Sequence, residues 1–141
     1  MRLAVDASVA AKWFFTEPLA DEARRLLADA YELFAPDLWH AEVGNATWVK
    51  VRHGDADPVQ AAAVTAALLR MPVTIKPTAS LLPAAVDLSI RLGHPIYDCC
   101  YLALCQSEGC QFVTADDRLR KAAVAGGLGG VILWIEDVPP V

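Results

Sequence analysis

Four acidic residues are notable for where they fall: Asp6 in LAVDASV, Glu42 in LWHAEVGN, Asp98 in HPIYDCCYLAL and Asp116 in FVTADDRL. Each sits at the end of an apolar run or inside a helix pattern. A carboxylate carried into an apolar setting is costly unless its charge has a partner. Lys and Arg are scarce beside these four, which leaves a divalent cation as the obvious partner. Oxygen ligands around Mg2+ or Mn2+ are the usual machinery for cutting or moving phosphate esters. Three polar residues stand near the acids. Ser8 could cap a helix or contact a substrate, and the hydroxyl of Thr114 could orient Asp116. Asn45 lies three residues after Glu42, on the same face of the predicted helix.

Each acid has a plain alternative. Asp6, Asp98 and Asp116 all precede helix patterns and could be N-caps. Glu42 alone could be an exposed helix residue. Capping does not explain the acid in mid-helix at 42, nor the apolar lead-in at both 6 and 98. Asp117 follows Asp116 directly but would point elsewhere on a helix.

Other chemistry finds little support. His40, His53 and His94 lie in unrelated contexts without the spacing of a zinc helix, and read as structural or surface residues. Cys99, Cys100, Cys105 and Cys110 match no paired C-x-x-C zinc pattern. Three of them fall in an apolar helix-like stretch, where Cys acts as a small hydrophobe. There is no G-x-G-x-x-G, no G-x-x-x-x-G-K-[ST] and no G-x-S-x-G, which disfavours dinucleotide, P-loop and serine-hydrolase chemistry.

The elements that must position the acids alternate along the chain. Short apolar runs at 2–5, 33–35, 73–75, 110–114 and 131–134 read as strands. Between them, helix patterns are predicted over 8–15, 19–31, 38–52, 58–70, 79–91, 97–108 and 117–125. Asp37 is placed to cap the third of these and Pro58 to open the fourth. Gly54, Gly93, Gly109 and Gly126 mark helix ends, and the tail IEDVPPV fades out. Strands alternating with helices of this length imply a parallel sheet covered by helices on both faces. In such sheets ligands bind beyond the carboxyl ends of the strands, which is where Asp6 and Asp116 fall.

At 141 residues the chain is expected to form one domain, 1–141, with one core. Hydrophobic residues make up 55%, enough for a subunit interface as well. No apolar run approaches the ~18 residues of a membrane span. The stretch MRLAVDASVAAKWFF is interrupted by Asp6 and has no polar cleavage region, so a cytoplasmic location is expected. The formal charge of −5 weighs mildly against a surface that grips nucleic acid all over. Metal-ligating acids would soften that objection, because bound cations cancel them locally.

The four acid segments, in this order, resemble the PIN-domain family, and within it the VapC-type toxin ribonucleases. VDASVAAKWFFTEP looks like the family's N-terminal segment, with Asp6 and Ser8. Pro36-Asp37-Leu38-Trp39 leading to Glu42 and Asn45 is similar to its second-acid helix. Tyr97-Asp98 with Tyr101-Leu102-Ala103-Leu104 matches the third-acid segment, and Thr114-Ala115-Asp116 with Arg118-Leu119 the fourth. Cys99-Cys100 departs from the small residues usual there. The resemblance implies an α/β/α sandwich with a mostly parallel sheet and Mg2+- or Mn2+-dependent endoribonuclease activity. It also implies a homodimer held by a small antitoxin. Asp6 and Asp98 are then the foremost metal ligands, completed by Asp116 and Glu42 directly or through water. The bound ion would lower the pKa of a water and stabilise charge on the scissile phosphate. Lys12, Arg118 and Lys121 are candidates for holding the RNA backbone. A catalytically idle interaction domain, or a nuclease acting on DNA, are the rival readings.

Overall fold

The computed structural model describes residues 1–141. Five strands form one sheet: β1 (Arg2–Val5), β2 (Glu32–Pro36), β3 (Val73–Lys76), β4 (Gln111–Thr114) and β5 (Ile132–Trp134). Seven helices connect and cover them: α1 (Ala7–Ala10), α2 (Ala20–Arg25), α3 (Leu38–Arg52), α4 (Pro58–Leu68), α5 (Thr78–Leu92), α6 (Ile96–Glu108) and α7 (Asp117–Ala125). The strand order is β3-β2-β1-β4-β5 and every pairing is parallel. This is the expected α/β/α sandwich. Leu3, Ala4, Val5, Leu33, Phe34, Ala35, Phe112 and Val113 are all buried, as parallel strands covered on both faces require.

The chain steps outward from β1 to β2 and β3, then returns to the other side of β1 for β4 and β5. The reversal lies between β1 and β4, and crevices form at such a point beyond the carboxyl ends of the strands. Right-handed crossovers place α1 to α4 on one face and α5 to α7 on the other. The packing agrees: α1 meets α3, α3 meets α4, and α5 meets both α6 and α7.

α6 is the central helix. Its residues Cys99 to Cys105 are buried without a break, because it lies across β1, β2 and β4 with α5 against it. Cys99, Cys100 and Cys105 pack there as small apolar residues, and all four cysteines are free. Gly93 and Gly109 close α5 and α6 at φ of 60° and 63°, the left-handed conformation glycine adopts without strain. Asp57 and Gln60 form a reciprocal capping box at the start of α4, with both bonds at 2.8 Å.

Four expectations about elements need correction. The helix predicted over 8–15 ends at Ala10 and tightens into a single 3-10 turn, Ala11–Trp13. The helix predicted over 19–31 stops at Arg25. Residues 26–31 instead make three-residue turn bonds, such as Leu27 N–H to the Arg24 carbonyl, which turn the chain into β2. Asp37 does not cap α3 with its side chain. Its carboxylate accepts from the backbone N–H (3.1 Å) and hydroxyl of Thr78, joining the starts of α3 and α5. The tail does not fade: Ile135 and Val138 are buried, and the Tyr31 hydroxyl donates to the Pro139 carbonyl at 2.5 Å.

Candidate active site

β1 hands the chain directly to Asp6, whose N–H donates to the Val113 carbonyl of β4 at 3.1 Å. This extends the ladder by one residue and fixes Asp6 at the reversal point of the sheet. Asp6 is only 5% exposed and serves as N-cap of α1. Its Oδ2 accepts from the Ser8 hydroxyl at 2.9 Å and from the Thr114 hydroxyl at 2.6 Å. Thr114, at the end of β4, also accepts from the Asp116 N–H at 3.0 Å, and Ser8 Oγ accepts from the Ala115 N–H at 3.4 Å. Two hydroxyls thus stitch the first and fourth acid segments together. Ser8 does not cap the helix; Asp6 does, and Ser8 supports it.

Asp116 caps α7, with Oδ1 accepting from the N–H groups of Arg118 (2.9 Å) and Leu119 (3.3 Å). Asp98 is not a cap. It sits in the first turn of α6, where Pro95 holds the N-cap position, and its Oδ2 lies 2.5 Å from Nε2 of His94. Glu42 projects from α3, and its Oε1 accepts from the Tyr101 hydroxyl of α6 at 2.7 Å. Tyr101 is fully buried and stacks on Phe112 with ring centroids 4.8 Å apart.

The four carboxylates line one cavity of about 590 Å³, together with Ser8, Asn45 and the exposed Tyr97. Thr114 lies beneath it, behind Asp6. No Lys or Arg lines this cavity. Lys12 is bound to Glu17 at 3.1 Å and to the Pro18 carbonyl, and Lys121 to Asp117 at 2.8 Å. Arg118 is exposed in the first turn of α7, next to Asp116. Asp117 points away and pairs with Arg120 and Lys121.

The charges respond to this arrangement. Burial lifts the Asp6 carboxyl to about 6, against the bonds from Thr114 and Ser8, and the nearby Asp98 lifts it further. Burial lifts Glu42 to about 7; the Tyr101 hydroxyl opposes the rise, while Asp6 and Asp98 add to it. The carboxyls of Asp6 and Glu42 are thus both raised in part by the charge of Asp98, which reaches them from a third segment across the cavity.

An all-oxygen donor set with no Lys or Arg partner, and His94 on Asp98 as its one nitrogen contact, fits a hard divalent cation that retains part of its water shell. The fit is one of donor chemistry and location: no three of the side chains stand close enough to grip an ion by themselves. Two contacts to the cavity acids escaped the sequence reading, His94 to Asp98 and Tyr101 to Glu42. The four-residue spacing of His94 and Asp98 was available, but Pro95 between them points to a helix that starts after His94. Tyr101 lay inside an apolar run and read as core.

Residues 3–125 match the PIN domain. The chain belongs to the PIN-domain family. It is similar to ribonuclease VapC3 of Pyrobaculum aerophilum, with 31% identity over 123 residues covering 86% of this chain and 94% of that one. This PIN domain therefore lies in the VapC ribonuclease branch. Its fold is similar to the crystal structure of PAE2754 from Pyrobaculum aerophilum (TM-score 0.71, 23% identity, 96% of this chain and 85% of that one). It is also similar to a toxin–antitoxin complex from Klebsiella pneumoniae (TM-score 0.64, 14% identity, 99% of each chain). No helix of this PIN domain is long and apolar enough to cross a membrane.

Proposed function

We propose that this PIN domain is a Mg2+- or Mn2+-dependent endoribonuclease and the toxin of a toxin–antitoxin pair. The observation that carries the reading is the convergence of Asp6, Glu42, Asp98 and Asp116 on one cavity that contains no basic side chain. Such a cavity is poorly suited to hold the anionic backbone of RNA until a cation offsets its charge. When bound, a divalent ion supplies Lewis acidity toward the scissile phosphate and a more acidic water. The residues supply placement. Asp6 and Asp98 are the first choice of ligands, and Asp116 and Glu42 complete the set. Ser8 and Thr114 keep Asp6 oriented, and Asn45 lines the same wall as Glu42. Arg118 is the best-placed candidate for a backbone phosphate, since Lys12 and Lys121 are already paired. Hydrolysis in this arrangement leaves a 5′ phosphate and a 3′ hydroxyl.

Further parts of the reading are an antitoxin partner, a homodimer and a cytoplasmic location. The antitoxin is supported by the likeness to the Klebsiella complex and by the VapC-type relative. The test is incubation of the purified protein with structured RNA, with matched single-stranded DNA as the second substrate, in Mg2+, Mn2+ or EDTA. Metal-dependent RNA cleavage that is lost in Asp98→Asn is expected. No cleavage with either metal would favour an idle interaction domain, and cleavage of DNA alone would move the substrate.

A further inference from the structure

The hydrogen bonds to the four acids share one feature. Each carboxylate has one oxygen taken by protein donors and the other almost or wholly without them. Asp6 Oδ2 takes two hydroxyls, while Oδ1 has only a 3.5 Å contact from the Ser8 N–H. Asp116 Oδ1 takes two N–H groups, leaving Oδ2. Asp98 Oδ2 takes His94, leaving Oδ1, and Glu42 Oε1 takes Tyr101, leaving Oε2. For Asp6 and Asp116 the donors are the capping and strand-end groups already described. For Asp98 and Glu42 the sole donors are His94 and Tyr101, both carried by α6 or the turn that leads into it.

We propose that His94 and Tyr101 are positioning residues that fix Asp98 and Glu42 so that each offers a single oxygen to the cation. The inference rests on the metal-dependent reading of the cavity. Both donors are built to stay put. His94 is about nine-tenths buried, its side chain 11% exposed, and its carbonyl accepts from the Ser89 hydroxyl and the Cys99 thiol. Tyr101 is fully buried, with its ring held by stacking on Phe112. A carboxylate free at both oxygens loses rotamer freedom when it binds an ion, and it can also bind through both oxygens. A carboxylate already held at one oxygen has lost that freedom on folding, and binding through both would make the held oxygen share its lone pairs between the donor and the ion, in an orientation the donor has already set. Small cations with octahedral preference favour one oxygen per carboxylate, whereas Ca2+ readily takes two. Donors behind metal-ligating groups commonly change metal affinity by about 10–100-fold when removed.

The experiment uses the full chain and reads Mn2+ binding directly, from the loss of the free-ion electron paramagnetic resonance signal, without RNA. Tyr101→Phe keeps the buried ring and removes only the hydroxyl. His94→Leu removes the donor, and His94→Gln restores an N–H near the same place. Mn2+ affinity is expected to fall about 10–100-fold in Tyr101→Phe and His94→Leu and to recover in His94→Gln. Ca2+ should displace Mn2+ more readily from the two impaired variants than from the wild type. Melting of each variant in EDTA checks that the fold is retained. If wild type binds Mn2+ and both impaired variants bind it equally well, or if His94→Gln is as weak as His94→Leu, the positioning role is wrong while the metal site stands. If wild type binds no Mn2+, the metal-dependent reading falls and takes this inference with it.

Discussion

The molecule buries carboxylates in two places and treats them in opposite ways. Glu17, with its side chain 17% exposed, lies between Lys12 at 3.1 Å and Lys50 at 2.7 Å. Burial pushes its carboxyl up, but Lys50 and Lys12 outweigh burial and the net result lies below the ordinary glutamate value. Asp6 is buried more deeply, has only hydroxyl and N–H donors, and is pushed up to about 6 with Asp98 adding to the rise. The same chain therefore solves the problem of a buried acid with internal cations at one site and leaves it open at the other. The open site is also the one where four acids converge. On the proposed reading, that contrast separates structural acids from acids kept for a ligand.

The largest effect expected from the contrast is on catalysis. Asp6→Asn and Asp98→Asn should each lower metal-dependent RNA cleavage by about a thousandfold or more, the several kcal/mol that a bound ion contributes to the transition state. Glu17→Gln should leave cleavage near the wild-type rate. Initial rates on one RNA substrate check all three, and a Glu17 variant as inactive as Asp98→Asn would erase the distinction between the two sites.

Next in size is the pH dependence of the metal-free protein. The Asp6 carboxyl titrates near 6 in the fold and near 3.8 when unperturbed, so the folded state favours the protonated form. Its contribution to stability is complete below about pH 4 and is lost as the pH rises through about 6. Glu42, near 7 in the fold, extends the loss upward. Melting temperature in EDTA should therefore fall between pH 5 and pH 8, and Asp6→Asn should remove much of the fall. At pH 8 that substitution should stabilise the metal-free protein by up to about 3 kcal/mol, with no gain at pH 4. Mn2+ should raise the melting temperature of wild type at pH 8 more than at pH 5, because its ligands must be ionised.

Glu17 should show the reverse sign. Its carboxyl is held down in the fold, so its stabilising contribution is present above the ordinary glutamate range and disappears on acidification. Glu17→Gln should cost roughly 1 kcal/mol at pH 7 and less at pH 3, the scale of a partly solvated ion pair. Chemical denaturation at the two pH values checks it. The smallest expected effect is that of Lys121→Ala, which removes a pairing with Asp117 outside the cavity. It should change stability by no more than about 0.5 kcal/mol.

Much of this was legible in the sequence because the relevant signals are local. The strand preceding Asp6, the strand ending at Thr114 and the glycines at 93 and 109 each state a boundary through short-range physics. Asp6 and Asp98 were readable because an apolar segment leading into a carboxylate is unusual, Asp116 because it follows a strand end, and Glu42 because capping cannot explain an acid in mid-helix. Features that depend on distant partners were not readable. Thr114 was expected to serve Asp116, and its hydroxyl does accept the Asp116 N–H at 3.0 Å; what could not be read is that the same hydroxyl donates to Asp6, just past a neighbouring strand and far away in sequence. Asp37 looked like a cap, but Thr78 competes successfully for its carboxylate. Lys12 read as a possible RNA contact, and only the fold brings Glu17 and Lys50 together around it. Tyr101 read as core, and it is core; its one polar atom acquires meaning only when α3 places Glu42 above it.

The most direct measurement is anomalous diffraction from crystals soaked in Mn2+. A peak inside the cavity, bonded to oxygens of Asp6 and Asp98 and within direct or water-bridged reach of Glu42 and Asp116, is the predicted result. An empty cavity at saturating Mn2+, or a peak held by other residues, would contradict the proposal that these four acids share an ion.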